Sequence, residues 1–276
     1  MLGPLVKWAG GKRQILREIV NRLPLEWNTY YEPFLGGGAL LFELLKSGRI
    51  ERAVVSDLNH ELINMYRCVQ RAPTRVADEL DPLRNCLDRE SYISFRTEFN
   101  ALSMTHGSPY RRAALFLYLN RTGFNGLWRV NSRGEFNVPF GDYRKLVLPR
   151  ASGLEEVSHL LGPVKFMELD FAETLRDAVM GDFAYLDPPY IPVSRSSSFT
   201  QYTSGGFGMN DQERLRDLCL ALKQRGVRFI LSNSDVPEIW RIYSDFSHEV
   251  IEARRSINSI PVGRKGHTEC IITSVG

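Results

Sequence analysis

The 276-residue chain contains no apolar run that approaches the roughly 20 residues needed to span a membrane. Its N-terminus, MLGPLVKWAGGK, also lacks the long apolar segment of a signal peptide, so we expect a cytoplasmic protein. The four cysteines form no CxxC pair and have no histidine cluster beside them, which favours buried thiols over disulfides or a metal site. They are Cys68, Cys86, Cys219 and Cys270. With 43% hydrophobic and 24% charged residues, the composition is that of a soluble globular protein.

The net charge of +3 is unevenly placed along the chain. Segment 109–150 has eight basic residues against two acids, Glu135 and Asp142, so it carries +6 and the remainder carries −3. The basic residues are Arg111, Arg112, Arg121, Arg129, Arg133, Arg144, Lys145 and Arg150. A charge run is more often only a solvated face. Because this one is interleaved with aromatic residues, it predicts a surface that binds a polyanion.

Short apolar runs alternate with helix-like stretches near both ends of the chain. The runs that end in a polar residue or glycine are TYYEPFLGGG, RAVVSD, VKFMELD, FAYLDPPY, VRFILSNS and TECIITS. The helix-like stretches include 38–46, 210–225 and 236–243, with Asn210 or Asp211 as an N-cap and Gly226 as a stop for the second. Such alternation predicts an α/β fold with a mostly parallel sheet.

The alternation is interrupted between residues 58 and 162. Three stretches here have a helical pattern: HELINMYRCVQ, YISFRTEFNALS and RRAALFLYLN. They are followed by RTGFNGLWRVNSRGEFNVPFGDY, in which WRVN and EFNV form candidate short strands around the turn NSRGE. We therefore expect a helical and β-hairpin domain at 58–162, inserted into a core built from 1–57 and 163–276.

Glycines and an aspartate follow the first two predicted strands, where ligands bind in open parallel sheets. Gly36, Gly37 and Gly38 let the backbone approach a ligand, and Asp57 lies where a carboxylate binds both hydroxyls of a ribose. A lone aspartate at this position is otherwise a helix cap. A dinucleotide fingerprint needs a glycine in place of Leu41, and a P-loop needs Ser or Thr in place of Arg13. The pattern favours a nucleoside-bearing cofactor without a pyrophosphate, such as S-adenosylmethionine.

The stretch FAYLDPPYIP ends a predicted buried strand in a carboxylate, two prolines and an aromatic ring. Asp187 and the carbonyl of Pro188 offer two acceptors in a turn that the prolines make rigid. Two adjacent acceptors suit a planar amino group, and accepting the protons of adenine's amine directs its lone pair toward a methyl donor. Tyr190 can stack on a base that has left the duplex. The alternative is a capped turn with a partly buried tyrosine.

Together these motifs resemble the Dam-type DNA adenine methyltransferases over essentially the whole chain. The motifs occur in that family's order, and they are KWAGGK (7–12), EPFLGGGAL (32–40), SDLN (56–59), NRTGFNGLWRVNSRGEFNVPFG (120–141) and DPPYIP (187–192), with FTQY (199–202) and LSNS (231–234) in support. The resemblance implies a Rossmann-like methyltransferase sheet with an inserted target-recognition domain. It also implies transfer of a methyl group from S-adenosylmethionine to N6 of a flipped adenine in double-stranded DNA, within GATC, with S-adenosylhomocysteine as product.

The resemblance also implies roles for individual residues. The catalytic set is Asp187, Pro188, Pro189 and Tyr190, and the cofactor-binding set is Trp8, Lys12, Gly36, Gly38, Asp57 and Asp187. The DNA-binding set is Lys7 beside the site, Phe124 as a wedge, Asn125 at the orphaned thymine, Leu127 and Pro139 at thymine methyls, and Arg129 at the first guanine. Arginine suits guanine because its fork matches O6 and N7. Without the resemblance, the residues alone are equally consistent with Trp8 as a core aromatic and Lys12 as a surface charge.

Some alternatives remain open from the sequence. The same fold also methylates the amine of cytosine, and RNA or protein substrates and a DNA-binding regulator without catalysis are further possibilities. Two positions depart from the family pattern: Phe124 stands where a tyrosine also occurs, and Asp142 where a basic residue commonly contacts phosphate. We expect a monomer without a metal or a membrane attachment. Its biological setting is a restriction system, a phage or a bacterial regulatory programme.

Overall fold

The computed structural model describes residues 3–10, 12, 15–102, 107–190, 207–253 and 267–274. The supporting motif FTQY at 199–202 and the last two residues of DPPYIP lie outside the described residues. Among the helices that the structure does describe, none is both long and apolar enough to cross a membrane.

The described residues contain seven strands in one sheet, which confirms the α/β prediction. The strands are β1 (Tyr30–Glu32), β2 (Ala53–Ser56), β3 (Val164–Met167), β4 (Phe183–Leu186), β5 (Arg228–Ser234), β6 (Ser247–Ala253) and β7 (His267–Thr273). Their order is β3-β2-β1-β4-β5-β7-β6. Strand β1 pairs in parallel with β2 and β4, and β4 with β5, whereas β7 runs antiparallel to both β5 and β6. All six predicted strands are present, and the sheet is mostly parallel as expected.

Strand β6 was not predicted from the sequence. Its residues, SHEVIEA, mix charged and apolar side chains instead of forming a continuous apolar run. It lies at an edge of the sheet, where one side chain such as Val250 can remain exposed while Ile251 is buried. An edge strand of this kind needs less apolar surface than the central β4, in which every residue is buried.

Ten α-helices lie in the described part of the chain. They are α1 (Leu16–Val20), α2 (Ala39–Lys46), α3 (His60–Arg71), α4 (Pro73–Leu80), α5 (Arg89–Ala101), α6 (Pro109–Thr122), α7 (Ala151–Leu160), α8 (Phe171–Thr174), α9 (Met209–Gln224) and α10 (Pro237–Ile242). The three predicted helices of the core match α2, α9 and α10, and the three helical stretches of the insertion match α3, α5 and α6.

The predicted N-cap of α9 is wrong, whereas its predicted stop is confirmed. Gly208 is the N-cap, and Asp211 lies in the first turn, where its carboxylate accepts a hydrogen bond from the Gly208 N–H at 3.0 Å. An acid three positions into a helix satisfies the cap backbone in this way. At the other end Gly226 has φ of +73°, and the N–H groups of Gly226 and Val227 bond back to the last turn.

The predicted hairpin is present only as isolated bridges. Val130 pairs antiparallel with Phe136, and the Asn131 N–H donates to the Glu135 carbonyl at 2.9 Å across the turn. Gly134 has φ of +78° in that turn. The arms do not form the two strands that WRVN and EFNV predict, and Pro139, which follows EFNV, has no N–H with which to extend a ladder.

The chain divides into two compact units. The first comprises Met1–Gly11, Gly36–Arg49 and Asp57–Glu168, and the second Lys12–Leu35, Ile50–Ser56 and Leu169–Gly276. In the first unit, the middle of α6 is buried on every side. In the second, the core gathers around β4, β5 and β7 together with α9 and α10. The inserted segment 58–162 falls within the first unit, and its functional boundaries remain a prediction.

Candidate active site

In the second unit, Asp187 follows directly after the buried strand β4. The two prolines after it cannot donate to a sheet, so the strand ends and the carboxylate lies at its carboxyl end. Ser232 of the neighbouring strand β5 donates its hydroxyl to Oδ1 of Asp187 at 2.9 Å. Lys12 places its Nζ 3.0 Å from the same oxygen. Both of these contacts are made to Oδ1.

The pKa of Asp187 is raised above its ordinary value. Burial is the main cause, since only 19% of the side chain is exposed, and the charge of Glu269 adds to it. Lys12 and the hydroxyl of Ser232 act in the opposite direction because they stabilise the carboxylate. The site therefore holds a carboxylate whose charge depends on a few named neighbours.

Tyr190 is held at both its hydroxyl and its ring. The hydroxyl donates to Oε2 of Glu269 at 2.6 Å, and the Lys12 ammonium lies 4.1 Å from the ring centroid. Burial, with Asp187 and Glu269 nearby, raises the pKa of Tyr190 well above its usual value, so the hydroxyl stays a donor. Lys12 is only 7% exposed and also lies 3.8 Å from Glu269, so the interpretation of Lys12 as a surface charge is wrong.

The turn after Asp187 is anchored from helix α9. Gln212 is fully buried, and its amide nitrogen donates to the Pro189 carbonyl at 3.3 Å. Its amide oxygen accepts from Asn233 at 3.1 Å and from the Tyr243 hydroxyl at 3.0 Å. Gln212 uses the carbonyl of Pro189 and not that of Pro188, which was the predicted second acceptor.

In the first unit, the glycine loop between β1 and α2 is tied to Asp57. The Gly36 N–H donates to Oδ2 of Asp57 at 2.9 Å, and the Asn59 N–H donates to Oδ1 at 2.9 Å. Asn59 is the N-cap of α3, because its own side chain accepts from the first turn of that helix. Asp57 is therefore not the helix cap that was the alternative interpretation. Burial raises the pKa of Asp57, and the two backbone hydrogen bonds oppose that effect.

Trp8 packs directly against the same loop. Gly36 and Gly38 have φ of +49° and +65°, a region that favours glycine. A Cβ added at Gly36 would lie 2.7 Å from Cδ1 of Trp8, and one at Gly37 would lie 3.2 Å from Cβ of Trp8. The half-buried indole also lies 6.5 Å from the ring of Phe116. The residue types of the loop thus fit a backbone that a large ring closely approaches.

The predicted DNA-binding residues lie at the surface of the first unit. Phe124 is 48% exposed, although it is large and apolar, and Asn125 next to it has φ of +54°. The Phe124 N–H donates to the Pro139 carbonyl at 2.9 Å, which joins the two ends of the segment. Pro139 is exposed and Leu127 is half-buried. These side chains are therefore available to a large partner.

Two amide side chains organise this surface. Asn137 accepts from Nε of Arg129 at 2.7 Å on its side chain and from Nη2 at 3.0 Å on its carbonyl. Asn120 exchanges hydrogen bonds of 2.8 Å with the backbone of Lys7 and donates to the Gly126 carbonyl at 3.0 Å. The first pair orients the Arg129 guanidinium, and the second holds Lys7 beside residues 124–139, the predicted recognition segment.

The basic residues of segment 109–150, whose concentration predicts a polyanion-binding surface, do not all lie at the surface. Arg112 is buried and pairs with Glu61, and Arg111 binds the carboxylate of Glu98. Arg121 donates to the backbone carbonyl of Leu5 at 2.6 Å. A buried charge such as that of Arg112 must be paired, and the other two arginines are also held by contacts within the first unit, so all three support its fold. The exposed basic residues of the segment are Arg129, Arg133, Arg144, Lys145 and Arg150.

The structure thus brings Lys12 to Asp187 and Tyr190 in the second unit, and Trp8 to Gly36 in the first. Sequence reasoning missed Gln212 and Glu269, and it gave no individual role to Ser232, although LSNS was noted as a motif.

All four cysteines are free, as expected, and Cys86 is only half-buried rather than buried. Within the described ranges, no group of three or more His, Cys, Asp or Glu side chains has a geometry that could hold a metal ion.

Comparison with known proteins shows what the chain is similar to. Residues 8–257 match the model of one protein family, the D12 class N6 adenine-specific DNA methyltransferases. The Type II methyltransferase M1.LlaDCHI of Lactococcus lactis subsp. cremoris is 40% identical over 277 residues, which cover 100% of this chain and 96% of that protein. The Type II methyltransferase M.MjaIII of Methanocaldococcus jannaschii is 39% identical, with 92% of each chain covered. A DNA adenine methylase of Escherichia coli is 36% identical over 92% of this chain and 88% of its own.

Proposed function

We propose, since this chain belongs to the D12 class N6 adenine-specific DNA methyltransferases, that it methylates N6 of a flipped adenine within GATC in double-stranded DNA. The enzyme class and the use of S-adenosylmethionine follow from the family. The target sequence, the flipping of the base and the role of each residue are the proposal. We further propose that 58–162 reads the DNA and that 1–57 with 163–276 carries the reaction.

One observation carries the catalytic assignment: Lys12 and Ser232 both bind Oδ1 of Asp187. The carboxylate is thereby fixed, and Oδ2 can accept one proton of the adenine amine while the Pro188 carbonyl accepts the other. When both hydrogens of the amine donate to these acceptors, the nitrogen lone pair is localised on the nitrogen, whereas it is otherwise delocalised into the ring. Asp187 works in this way by orientation and a preorganised charge, without a covalent intermediate.

Tyr190 is the proposed stacking partner of the flipped base. Its ring is held by the hydrogen bond to Glu269 and by the Lys12 ammonium, so the ring orientation is set before a base arrives. Aromatic stacking is worth about 1–3 kcal/mol per base, which offsets part of the cost of unstacking the adenine.

The glycine loop and its neighbours fit a nucleoside-bearing cofactor. Gly36 and Gly38 leave backbone without a Cβ next to the indole of Trp8. Each oxygen of Asp57 accepts one backbone N–H and has a second lone pair for a ribose hydroxyl. We assign Trp8, Lys12, Gly36, Gly38, Asp57 and Asp187 to S-adenosylmethionine, as the resemblance to the family implies. The cofactor supplies an electrophilic methyl group.

The exposed recognition segment is the proposed reader of GATC. Arg129 can present two N–H groups to O6 and N7 of the first guanine, because Asn137 holds the other side of its fork. Phe124 is the proposed wedge and Asn125 the partner of the orphaned thymine. Leu127 and Pro139 are assigned to thymine methyl groups, and Lys7 to the DNA beside the site.

The cellular setting is also a proposal. The relatives at 40% and 39% identity are named Type II methyltransferases, and another is named a DNA adenine methylase. We favour a cytoplasmic, monomeric enzyme on chromosomal or phage DNA that protects sites of a restriction system.

Product analysis tests the proposal. The protein is incubated with methyl-labelled S-adenosylmethionine and a GATC duplex, with duplexes altered at one base of the site, and with single-stranded RNA. The reacted nucleosides are then separated. We expect N6-methyladenine from GATC alone. N4-methylcytosine, or equal labelling of all altered duplexes, would contradict the substrate and the sequence assignment respectively.

A further inference from the structure

We propose that Glu269 is a positioning residue for methyl transfer, which acts by fixing the Tyr190 ring and the Lys12 ammonium beside Asp187. The inference rests on the catalytic roles that are proposed above for Asp187 and Tyr190. Nothing in the sequence singled out this glutamate.

The sheet places Glu269 on the same face as Ser232. In the antiparallel pairing of β5 with β7, Ser234 lies opposite Glu269 and Ser232 lies opposite Ile271. Paired residues, and residues two positions apart on one strand, point to the same side of a sheet. Glu269 and Ser232 therefore approach the turn after β4 from one side, and each contacts a different residue of DPPY.

The contacts of Glu269 account for its burial. Its side chain is only 12% exposed, and a carboxylate in such a position is costly unless it is paired and hydrogen-bonded. Oε2 accepts the Tyr190 hydroxyl at 2.6 Å, in the range of strong charge-assisted hydrogen bonds, and lies 3.8 Å from Nζ of Lys12. One oxygen thus connects the stacking ring and the lysine.

The charge of Glu269 works against the ionisation of Asp187. It contributes to raising the pKa of that group, so a neutral side chain would make the catalytic carboxylate easier to form. Lys12 lies between the two acids, 3.0 Å from Asp187 and 3.8 Å from Glu269. A glutamate that only filled space would not need this arrangement. Glu269 is placed to hold Tyr190 at the tyrosine hydroxyl, while Lys12 contacts the face of the tyrosine ring.

A series of variants separates positioning from simple structural support. The set comprises Glu269→Gln, Glu269→Ala, Tyr190→Phe, the double variant Glu269→Ala with Tyr190→Phe, Asp187→Ala, and Glu252→Gln as the matched control. Glu252 lies on β6 opposite Thr268, one residue away from Glu269 along β7, and is exposed. Each variant is measured for single-turnover methylation of a GATC duplex, for S-adenosylmethionine affinity, and for thermal unfolding.

Glu269→Ala should lower the single-turnover rate about 10- to 100-fold, because a hydrogen bond to a charged group is lost. Glu269→Gln keeps an acceptor for Tyr190 and should restore most of the rate. The double variant should be no slower than Glu269→Ala alone, because both changes break the same contact. Glu252→Gln should match the wild type.

The pH profile gives a readout that structural damage would not produce. The titratable and charged groups that interact with Asp187 are Lys12, Tyr30, Tyr185, Tyr190 and Glu269, and Glu32 accepts the hydroxyl of Tyr30 next to them. Removing the charge of Glu269 should lower the pKa of Asp187, so the acid limb of the rate should move to lower pH in Glu269→Gln.

Three results would overturn the inference: a rate for Glu269→Ala equal to that of Glu252→Gln, additive losses in the double variant, or an unmoved acid limb in Glu269→Gln. If Glu269→Ala fails to fold, the limb in Glu269→Gln decides alone. Asp187→Ala distinguishes failure of the proposed catalytic role of Asp187 from failure of the positioning role of Glu269. Near wild-type activity of that variant would remove the proposed catalytic assignment, whereas its inactivity beside a fully active Glu269→Ala would remove only the role of Glu269.

Discussion

The backbone N–H of Gly36 donates a 2.9 Å hydrogen bond to Oδ2 of Asp57, which follows strand β2. The second oxygen of the same carboxylate accepts the N–H of Asn59 at 2.9 Å. Asp57 therefore shapes the glycine loop and the start of the next helix, in addition to its proposed contact with a ribose. Because each oxygen retains a lone pair, the two roles are compatible.

Asp57→Ala should weaken S-adenosylmethionine binding by about 10- to 100-fold, since both the ribose acceptor and the anchor of the loop are lost. Asp57→Asn keeps one oxygen acceptor and should lose less. Isothermal titration calorimetry of the cofactor measures both variants, and DNA binding by gel shift serves as the control that should not change. Unaltered cofactor affinity in Asp57→Ala would leave this residue with a purely structural role.

Gly36→Ala should damage the cofactor loop more than Gly48→Ala. Both glycines have a left-handed backbone, with φ of +49° and +67°, so both variants lose about 1–2 kcal/mol to that conformation. At Gly48 an added Cβ meets no atom within 4 Å, whereas at Gly36 it meets Trp8 at 2.7 Å. The extra crowding should cost about 1–3 kcal/mol more in the free energy of unfolding.

Chemical denaturation gives the free energy of unfolding for the two glycine variants, and calorimetry gives their cofactor affinity. Only Gly36→Ala should lose affinity, by about 10-fold or more if the displaced indole costs 1.4 kcal/mol. Equal behaviour of the two variants would show that Trp8 yields freely and does not line the cofactor site.

Ser232→Ala should lower the rate of methyl transfer, and it should also lower stability, because the same buried hydroxyl bonds the Tyr185 hydroxyl at 3.0 Å. The hydroxyl fixes Oδ1 of Asp187 at 2.9 Å, and hydrogen bonds to charged groups contribute about 1.5–3 kcal/mol. Single-turnover rates should therefore fall roughly 10- to 100-fold. Ser247→Ala, at an exposed position of β6, is the matched control. If both serine variants retain the wild-type rate, the fixed Oδ1 is not required for catalysis.

The rate should also fall in acid at a pH above the ordinary aspartate value of about 3.9. Asp187 must be a carboxylate to accept amine protons, and its pKa is raised mainly by burial, so protonation begins at a higher pH than for a solvated aspartate. Ser232→Ala removes a donor that stabilises the carboxylate, which should move the limb to still higher pH. Single-turnover rates at saturating cofactor isolate this limb from any titration of Asp57. A limb that moves to lower pH in Ser232→Ala would contradict the assignment.

The positions of the proposed ligands could be predicted from strand ends. Gly36, Asp57 and Asp187 each follow a strand that the apolar runs revealed, and parallel strands gather their carboxyl ends on one edge. The partners of those residues could not be predicted in the same way. Glu269 is one acid among 32 Asp and Glu residues, and it lies on an antiparallel strand whose register with β5 depends on pairing distant in sequence.

The sequence also did not reveal which of its charged residues are buried. Arg112 and Arg129 belong to the same basic segment, yet Arg112 is buried against Glu61 and Arg129 is exposed beside Asn137. Only the packing of α6 against α3 distinguishes them, because a helix that is apolar on most sides hides whatever charge it carries. Counting charges along the sequence therefore overestimated the basic surface. Phe124, Asn125, Arg129 and Pro139 do lie at the surface, and their contacts with DNA stay a prediction.

Arg129→Ala should relax discrimination at the first guanine of GATC. The contact that we propose is bidentate, and loss of such a pair costs about 1–3 kcal/mol at that base alone. Arg133→Ala is the matched comparison, because Arg133 is exposed in the same segment and has no assigned base. Its loss should weaken all duplexes about equally and reduce the salt dependence of binding by about one charge.

The comparison requires methylation rates on GATC and on duplexes altered at the first base, for the wild type and both variants, with binding measured at several salt concentrations. The two arginines should diverge, because base contacts specify a sequence whereas phosphate contacts only position the protein. Asn137 holds Nε and Nη2 of Arg129, so Asn137→Ala should reproduce part of the relaxed discrimination without removing a charge. An equal loss on every duplex after Arg129→Ala would show that this arginine contacts the DNA backbone, and the GATC assignment would lose its main support.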